Sequence, residues 1–215
     1  MARHATLPRE DARSTRDLIL DVAERLFAEK GFAAVSMREI SAETGLRNQA
    51  SLYHHFRHKR ALYEAVMARG VGRMVDLVRE SGEKGGGLRD IIDYLAEHPH
   101  LPRLIQRAGL DDHRHLGRTA TRLLSPLYEQ GMEVLESMSG SWSAEERLHL
   151  AAALYNIIFG YFSNAALFQA VLGVDLRDPV LLERQGRFVQ SALDRLLAAP
   201  SKPRLVSSTA APRKE

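Results

Sequence analysis

The chain has 215 residues, 45% of them hydrophobic and 27% charged, the balance of a globular chain long enough for one large core or two small ones. It has no cysteine, which excludes disulfides, thiolate zinc sites and cysteine nucleophiles. The formal charge of +3 is unevenly spread: residues 1–60 hold 11 Lys/Arg against 8 Asp/Glu, while 61–215 hold 19 of each. A basic N-terminal quarter favours an anionic partner at that end, although an excess of this size also falls within ordinary scatter. The first 20 residues carry mixed charges and no apolar stretch, and no run of about 18 apolar residues occurs, so neither a secretory signal nor a membrane span is expected. The expected location is the cytoplasm.

The apolar period is helical almost throughout and predicts about nine helices. Residues 1–12 read as a flexible arm and 200–215 as a disordered tail. A first helix is expected over 14–29, with Leu18, Val22 and Leu26 beside Ile19, Ala23 and Phe27. Gly31 is placed as its left-handed terminator, after which Phe32 can fold back onto Phe27. Ser36-Met-Arg-Glu39 has the capping-box pattern and opens a second helix over 37–44, closed by Gly45. Asn48 fits an N-cap for a short third helix over 49–55. Residues 37–56 thus read as a helix-turn-helix unit.

A fourth helix is expected from about His58 to Ser81, before the break "GEKGGG" (82–87). The fifth and sixth span about 88–107, interrupted at Pro99 and Pro102. "GLDDHRHLG" (109–117) is a polar loop, and a seventh helix follows over 118–138. Ser143-Ala-Glu-Glu146 is a second capping box, opening one long apolar eighth helix to about Leu172. Asp178-Pro179 opens the ninth, which ends before Pro200.

Three stretches carry a family resemblance: "RDLILDVAERLFAEKGF" (16–32), "SMREISAETG" (36–45) and "LYHHFRHKRALYEAV" (52–66). Together they resemble the DNA-binding domain of TetR-type transcriptional regulators, over about a quarter of the chain. The remainder matches only in helix number, length and order. The resemblance implies an all-α fold: a helix-turn-helix DNA-binding domain over 13–58 and a helical effector-binding and dimerisation domain over 59–199. One departure stands out. The family places seven residues from the turn glycine to the tyrosine; here Gly45 to Tyr53 is eight, and Ala50 stands where a glycine is usual.

A helix-turn-helix presents the N-terminus of its second helix to the major groove, whose base edges carry a donor–acceptor code. Arg47, Asn48, Gln49 and Ser51 are therefore the residues expected nearest bases or phosphates. Asn48 reads equally well as only an N-cap. Ser36 and Arg38 lie at a helix N-terminus, where free amides and the dipole favour a phosphate; Ser36 can cap as well. The resemblance implies contacts for Tyr53 and His54 on the exposed side and a phosphate-contacting role for Lys59. Leu52 and Phe56 are expected in the core, and His55 packed at the junction of the third and fourth helices.

One such helix reads few base pairs, so a homodimer on a palindromic operator is expected. The resemblance implies that the eighth and ninth helices form its interface. The eighth is apolar nearly all round, and in the ninth Val180, Phe188, Ala192 and Leu196 form a stripe. Asn156, Gly160 and Ser163 share a face of the eighth helix, either as polar anchors of an effector pocket or as small residues at the dimer seam. Tyr94, Arg103, Leu104, Arg107, Leu127, Tyr128 and Phe159 are further pocket candidates. They suit a lipophilic or aromatic effector, with the arginines allowing an anionic group.

His98, His100 and "DDHRH" (111–115) could gather a metal, but their spacing fits no helix-face ligand motif, and no metal or cofactor is expected. No P-loop, nucleophile elbow or GxGxxG occurs, so an enzyme is not expected. The expected function is a DNA-binding repressor released by a small effector. The alternative is a DNA-binding regulator without one, controlled by a protein partner or constitutive.

Overall fold

The computed structural model describes residues 14–46, 49–84, 88–110, 116–138 and 142–198, apart from the side chains of Glu83 and Lys84. The expected arm and tail, Arg47, Asn48 and the "DDHRH" segment lie outside the described residues. Those described form ten helices and no strand.

α1 (Thr15–Ala34) starts at Ser14, whose Oγ accepts from the Asp17 amide at 3.1 Å. It is interrupted at Gly31, where φ is 80° and ψ 162°. The positive φ is as expected, but the ψ is extended rather than left-handed helical, a region open essentially to glycine alone. The turn lets Phe32 lie over Phe27, with centroids 6.0 Å apart, and both meet Tyr63 edge-on. α2 (Met37–Glu43) carries both halves of its capping box: Ser36 Oγ accepts from the Glu39 amide at 3.1 Å, and the Ser36 amide donates to Glu39 Oε2 at 3.4 Å. Gly45, at φ 67°, turns the chain toward α3 (Gln49–His55).

α4 (Lys59–Lys84) is capped by a histidine: His58 Nδ1 accepts from the Ala61 amide at 3.0 Å. Its first two turns belong to the N-terminal core. Leu62, Tyr63, Val66 and Met67 are buried with Ile19, Leu20, Ala23, Leu26 and Phe27 of α1 and with Leu52 of α3. One buried cluster runs from this head into the larger helical body, so the expected boundary at residue 58 is not a break in the core.

α5 (Leu88–Glu97) and α6 (Leu101–Leu110) are separated at Pro99 alone. Pro102 lies inside the first turn of α6, where its missing N–H has no helical partner to lose. α7 (Arg118–Met138) packs along α4, and α6 packs on both α1 and the next long helix. That helix is not continuous to Leu172 as the sequence suggested. α8 (Ala144–Ser163) ends at Asn164, and α9 (Ala165–Leu172) leaves it at 61°. Asn164 supplies the reason: its side-chain amide donates to the Gly160 carbonyl at 2.8 Å, competing with the helical ladder. α10 (Pro179–Ala198) is capped by Asp178, whose Oδ1 accepts from the Val180 and Leu181 amides, and packs on α5. Among the described residues no single helix is long and apolar enough to cross a membrane.

Candidate nucleic-acid interface and internal cavity

α3 is held by one inward edge. Leu52 is fully buried and Phe56, just past its end, is 5% exposed. The opposite edge presents Gln49, Ala50, Tyr53 and His54 to solvent, with Ser51 half-buried. Ser36 and Arg38, at the start of α2, are exposed as well. Arg47 and Asn48 lie outside the described residues. His55, expected in the junction, is exposed instead, its ring 6.5 Å from that of Phe56, because Phe56 fills the junction.

Lys59 is placed differently from the expectation of a phosphate contact. Its ammonium donates to the carbonyls of Phe32 (2.7 Å), Val35 (2.8 Å) and Ala33 (3.3 Å) and sits 4.4 Å from the centroid of the Phe32 ring. It closes the frayed end of α1, where carbonyls lack helical partners. Basic side chains not singled out from the sequence flank α3: Arg16 lies over the Phe56 ring at 5.2 Å, and Arg57 and Arg60 are exposed.

The head is joined to the body by an ion-pair cluster that local spacing did not reveal. Arg69 of α4 donates to Asp21 and Glu24 of α1, both at 2.8 Å, and the Glu24 side chain is only 8% exposed. Arg107 of α6 donates to the Glu29 carbonyl at 3.1 Å.

Inside the body lies a cavity of about 170 Å³. Val78 and Ser81 of α4, Leu127, Tyr128 and Gly131 of α7, and Tyr155, Ile158 and Phe159 of α8 are among the residues that line it, as are Leu88, Ile91, Gln190 and Leu193, and it is half-open. Of the expected effector-binding residues, Leu127, Tyr128 and Phe159 are brought together here. The others are not. Arg103 is exposed, Arg107 is turned to α1, Leu104 is fully buried in the core, and Tyr94 stacks on His98 with centroids 4.1 Å apart. Burial, above all, raises the Tyr94 pKa. Asn156 is exposed and returns its amide to the Ala152 carbonyl at 2.8 Å; a β-carbon at Gly160 would meet only Asn164 within 4 Å. Neither lines the cavity, which favours the seam over the anchor. Ser163 Oγ is buried, with no hydrogen-bond partner among the described residues.

Sequence reading missed Tyr155, which stacks on Phe159 at 4.8 Å and leans on Tyr128 at 5.7 Å. Its i, i+4 spacing to Phe159 was the available signal. Burial first, then the Tyr128 phenol, holds the Tyr155 hydroxyl far above the ordinary tyrosine range.

A broad apolar surface remains uncovered. No residue of α9 is buried, and Leu167, Val171 and Leu172 are 58%, 67% and 62% exposed. On α10, Val180, Phe188 and Leu196 of the expected stripe are exposed and Ala192 half-buried.

Residues 19–66 match the family described as bacterial regulatory proteins, tetR family. The repressor AcnR of Corynebacterium glutamicum is 33% identical over 69 residues, 32% of this chain and 36% of that protein. The regulator UidR of Escherichia coli is 34% identical over 87 residues, 40% of this chain and 42% of that protein. The chain thus matches well under half the length of these relatives. The likeness extends further in three dimensions. A TetR-like transcriptional regulator from Rhodococcus sp. RHA1 superposes with a TM-score of 0.62 at 19% identity, covering 89% of this chain and all of that one. AmtR of Mycobacterium smegmatis superposes at 0.60 with 22% identity, covering 91% and 92%. At these identities the solved structures establish the fold alone.

Proposed function

Because the chain belongs, through its N-terminal domain, to the tetR family of bacterial regulatory proteins, we propose that it is a sequence-specific transcriptional regulator. In this reading it is a dimeric repressor that binds a palindromic operator and is released by a small lipophilic or aromatic effector. The proteins it resembles are transcription regulators, not enzymes. The observation that carries the reading is the setting of α3: Leu52 and Phe56 anchor one edge while Gln49, Tyr53 and His54 stand outward, as a groove-entering helix requires.

Arg47, Asn48, Gln49 and Ser51 are the proposed first contacts, with Ser36 and Arg38 on a flanking phosphate. Tyr53 and His54 follow along the backbone, joined by Arg57 and Arg60. The extra residue before α3 shifts which of these side chains meet bases. The second copy would cover the exposed apolar faces of α8, α9 and α10, which the other described residues of the subunit leave open. Effector control rests on α4, which lines the cavity with Val78 and Ser81 and enters the head core with Leu62 and Tyr63. A ligand that shifts α4 shifts α3, and DNA and effector then oppose each other reciprocally. The cavity is smaller than the roughly 300–1,000 Å³ of drug-sized ligand sites, so the effector is small. A filled core would have favoured the alternative, a regulator without an effector.

The test is a gel shift with the DNA flanking the gene, searched for an inverted repeat. Binding should weaken steeply with salt. Unchanged binding by the double variant Arg47→Ala, Gln49→Ala would remove the contact assignment.

A further inference from the structure

We infer that the cavity takes an uncharged, monocyclic or small bicyclic aromatic molecule and rejects the carboxylate of the same skeleton. The inference rests on the effector reading above and narrows it to one chemical class.

Charge is the first argument. Among the described residues that line the cavity none is Lys, Arg, His, Asp or Glu. The two arginines that could have met an anion are elsewhere, Arg103 in solvent and Arg107 on the Glu29 carbonyl. A carboxylate moved into the depth of such a space loses part of its hydration, with no cation in the wall to replace it. The polar groups that do line it are neutral and partly engaged. Ser81 Oγ donates to the Val78 carbonyl at 2.8 Å, and the Gln190 side-chain amide donates to Asp194 at 2.8 Å.

Shape is the second. Tyr155 and Phe159 are nearly parallel, 23° between planes, and Tyr128 continues the stack at 31° to Tyr155. Rings stacked on one another offer the cavity their edges, a lining that a planar aromatic ring meets in edge-to-face geometry. The linked hydroxyls of Tyr128 and Tyr155 offer a neutral donor and acceptor at its edge, which suits a phenol, an indole or a carbonyl.

Size is the third. The cavity, about 170 Å³, is of the order of the roughly 150 Å³ apolar cavity known to accept benzene. Gly131 enlarges it: a β-carbon there would find no atom within 4 Å, so the missing side chain is part of the space.

The test compares 4-ethylphenol with 4-ethylbenzoate at pH 7 on the full chain, by calorimetry and melting temperature. The phenol should bind at least about ten-fold more tightly and raise the melting temperature. Gly131→Phe should lose phenol binding while keeping the wild-type helical content; Gly131→Leu serves the same purpose if the larger ring disturbs the fold. Equal or tighter binding of the benzoate overturns the uncharged class and leaves effector control standing. Phenol binding undiminished in both filled variants overturns the assignment to this cavity. If neither probe binds the wild type, the ligand class falls; if the phenol binds but leaves the affinity for flanking DNA unchanged, the effector reading falls while the ligand class stands.

Discussion

Gly70 of α4 and Leu101 of α6 fit together without room for one more carbon: a β-carbon at Gly70 would lie 2.3 Å from Leu101 Cδ1. Leu101 is fully buried, so its side chain can yield only by repacking against its core neighbours. Two residues along the same helix, Gly72 is exposed and a β-carbon there would meet nothing within 4 Å. Alanine is the better helix former at both sites by about 1 kcal/mol. Gly72→Ala should therefore stabilise the protein by roughly 0.5–1 kcal/mol. Gly70→Ala should destabilise it, because overpacking costs about 1–3 kcal/mol against that same gain. Urea unfolding of the two variants decides it; equal shifts in one direction would refute the close fit.

Arg69 holds two carboxylates of α1, and they are not equivalent. Asp21 is 39% exposed and rehydrates on losing its partner, whereas Glu24 is 8% exposed and does not. Arg69→Met should therefore cost about 1–3 kcal/mol, mostly from the stranded Glu24, less than the roughly 3–5 kcal/mol of a fully buried pair because Arg69 itself is a third exposed. Glu24→Leu added to Arg69→Met should recover most of the loss, while Asp21→Leu added instead should recover little. A double-mutant cycle by chemical denaturation measures both.

Lys59 makes its prediction through what it already touches. With three carbonyls of the chain around its ammonium, Lys59→Met should lower stability by about 1.5–3 kcal/mol, the range for a hydrogen-bonded charged group. A phosphate-contacting lysine would behave otherwise: stability would hold, and the slope of log affinity against log salt would fall by about one. Melting curves and a salt titration of DNA binding on the same variant separate the two roles.

What could be read in advance was local. The capping boxes at Ser36 and Ser143, the caps at Gly45 and Asp178, and the bounds of α3 each depend on residues two to four apart, and each appears as expected. The break at Asn164 was also local, yet hidden by an unbroken apolar run that outweighed one asparagine. The cavity was half-legible. Leu127, Tyr128 and Phe159 follow the apolar faces of their helices, but Arg107 joins Glu29 across 78 positions, and no spacing rule reaches that far. The carbonyl contacts of Lys59 were not legible, because a motif gives a residue's identity and not the direction its side chain takes.

His100, between α5 and α6, is half-buried, and its pKa is lowered, first by that burial. Glu24 and Glu29 oppose the shift, and Arg25 and Arg177 add to it. The folded protein therefore takes up this proton less readily than the unfolded chain, whose histidines titrate near about 6.5. Above that pH both states are neutral and nothing is lost. As pH falls through about 6.5 the unfolded state binds the proton first, so stability declines, levelling once the lowered folded pKa is passed. The lowered pKa values of Glu39, held by Lys30, and Glu146, held by the Ser143 cap, remove stability only at more acidic pH, below the ordinary carboxylate range. Urea midpoints at pH 7.5 and 5.5 should differ more in the wild type than in His100→Gln, which cannot take up the proton. The same difference in both proteins would show that burial of His100 does not control this window.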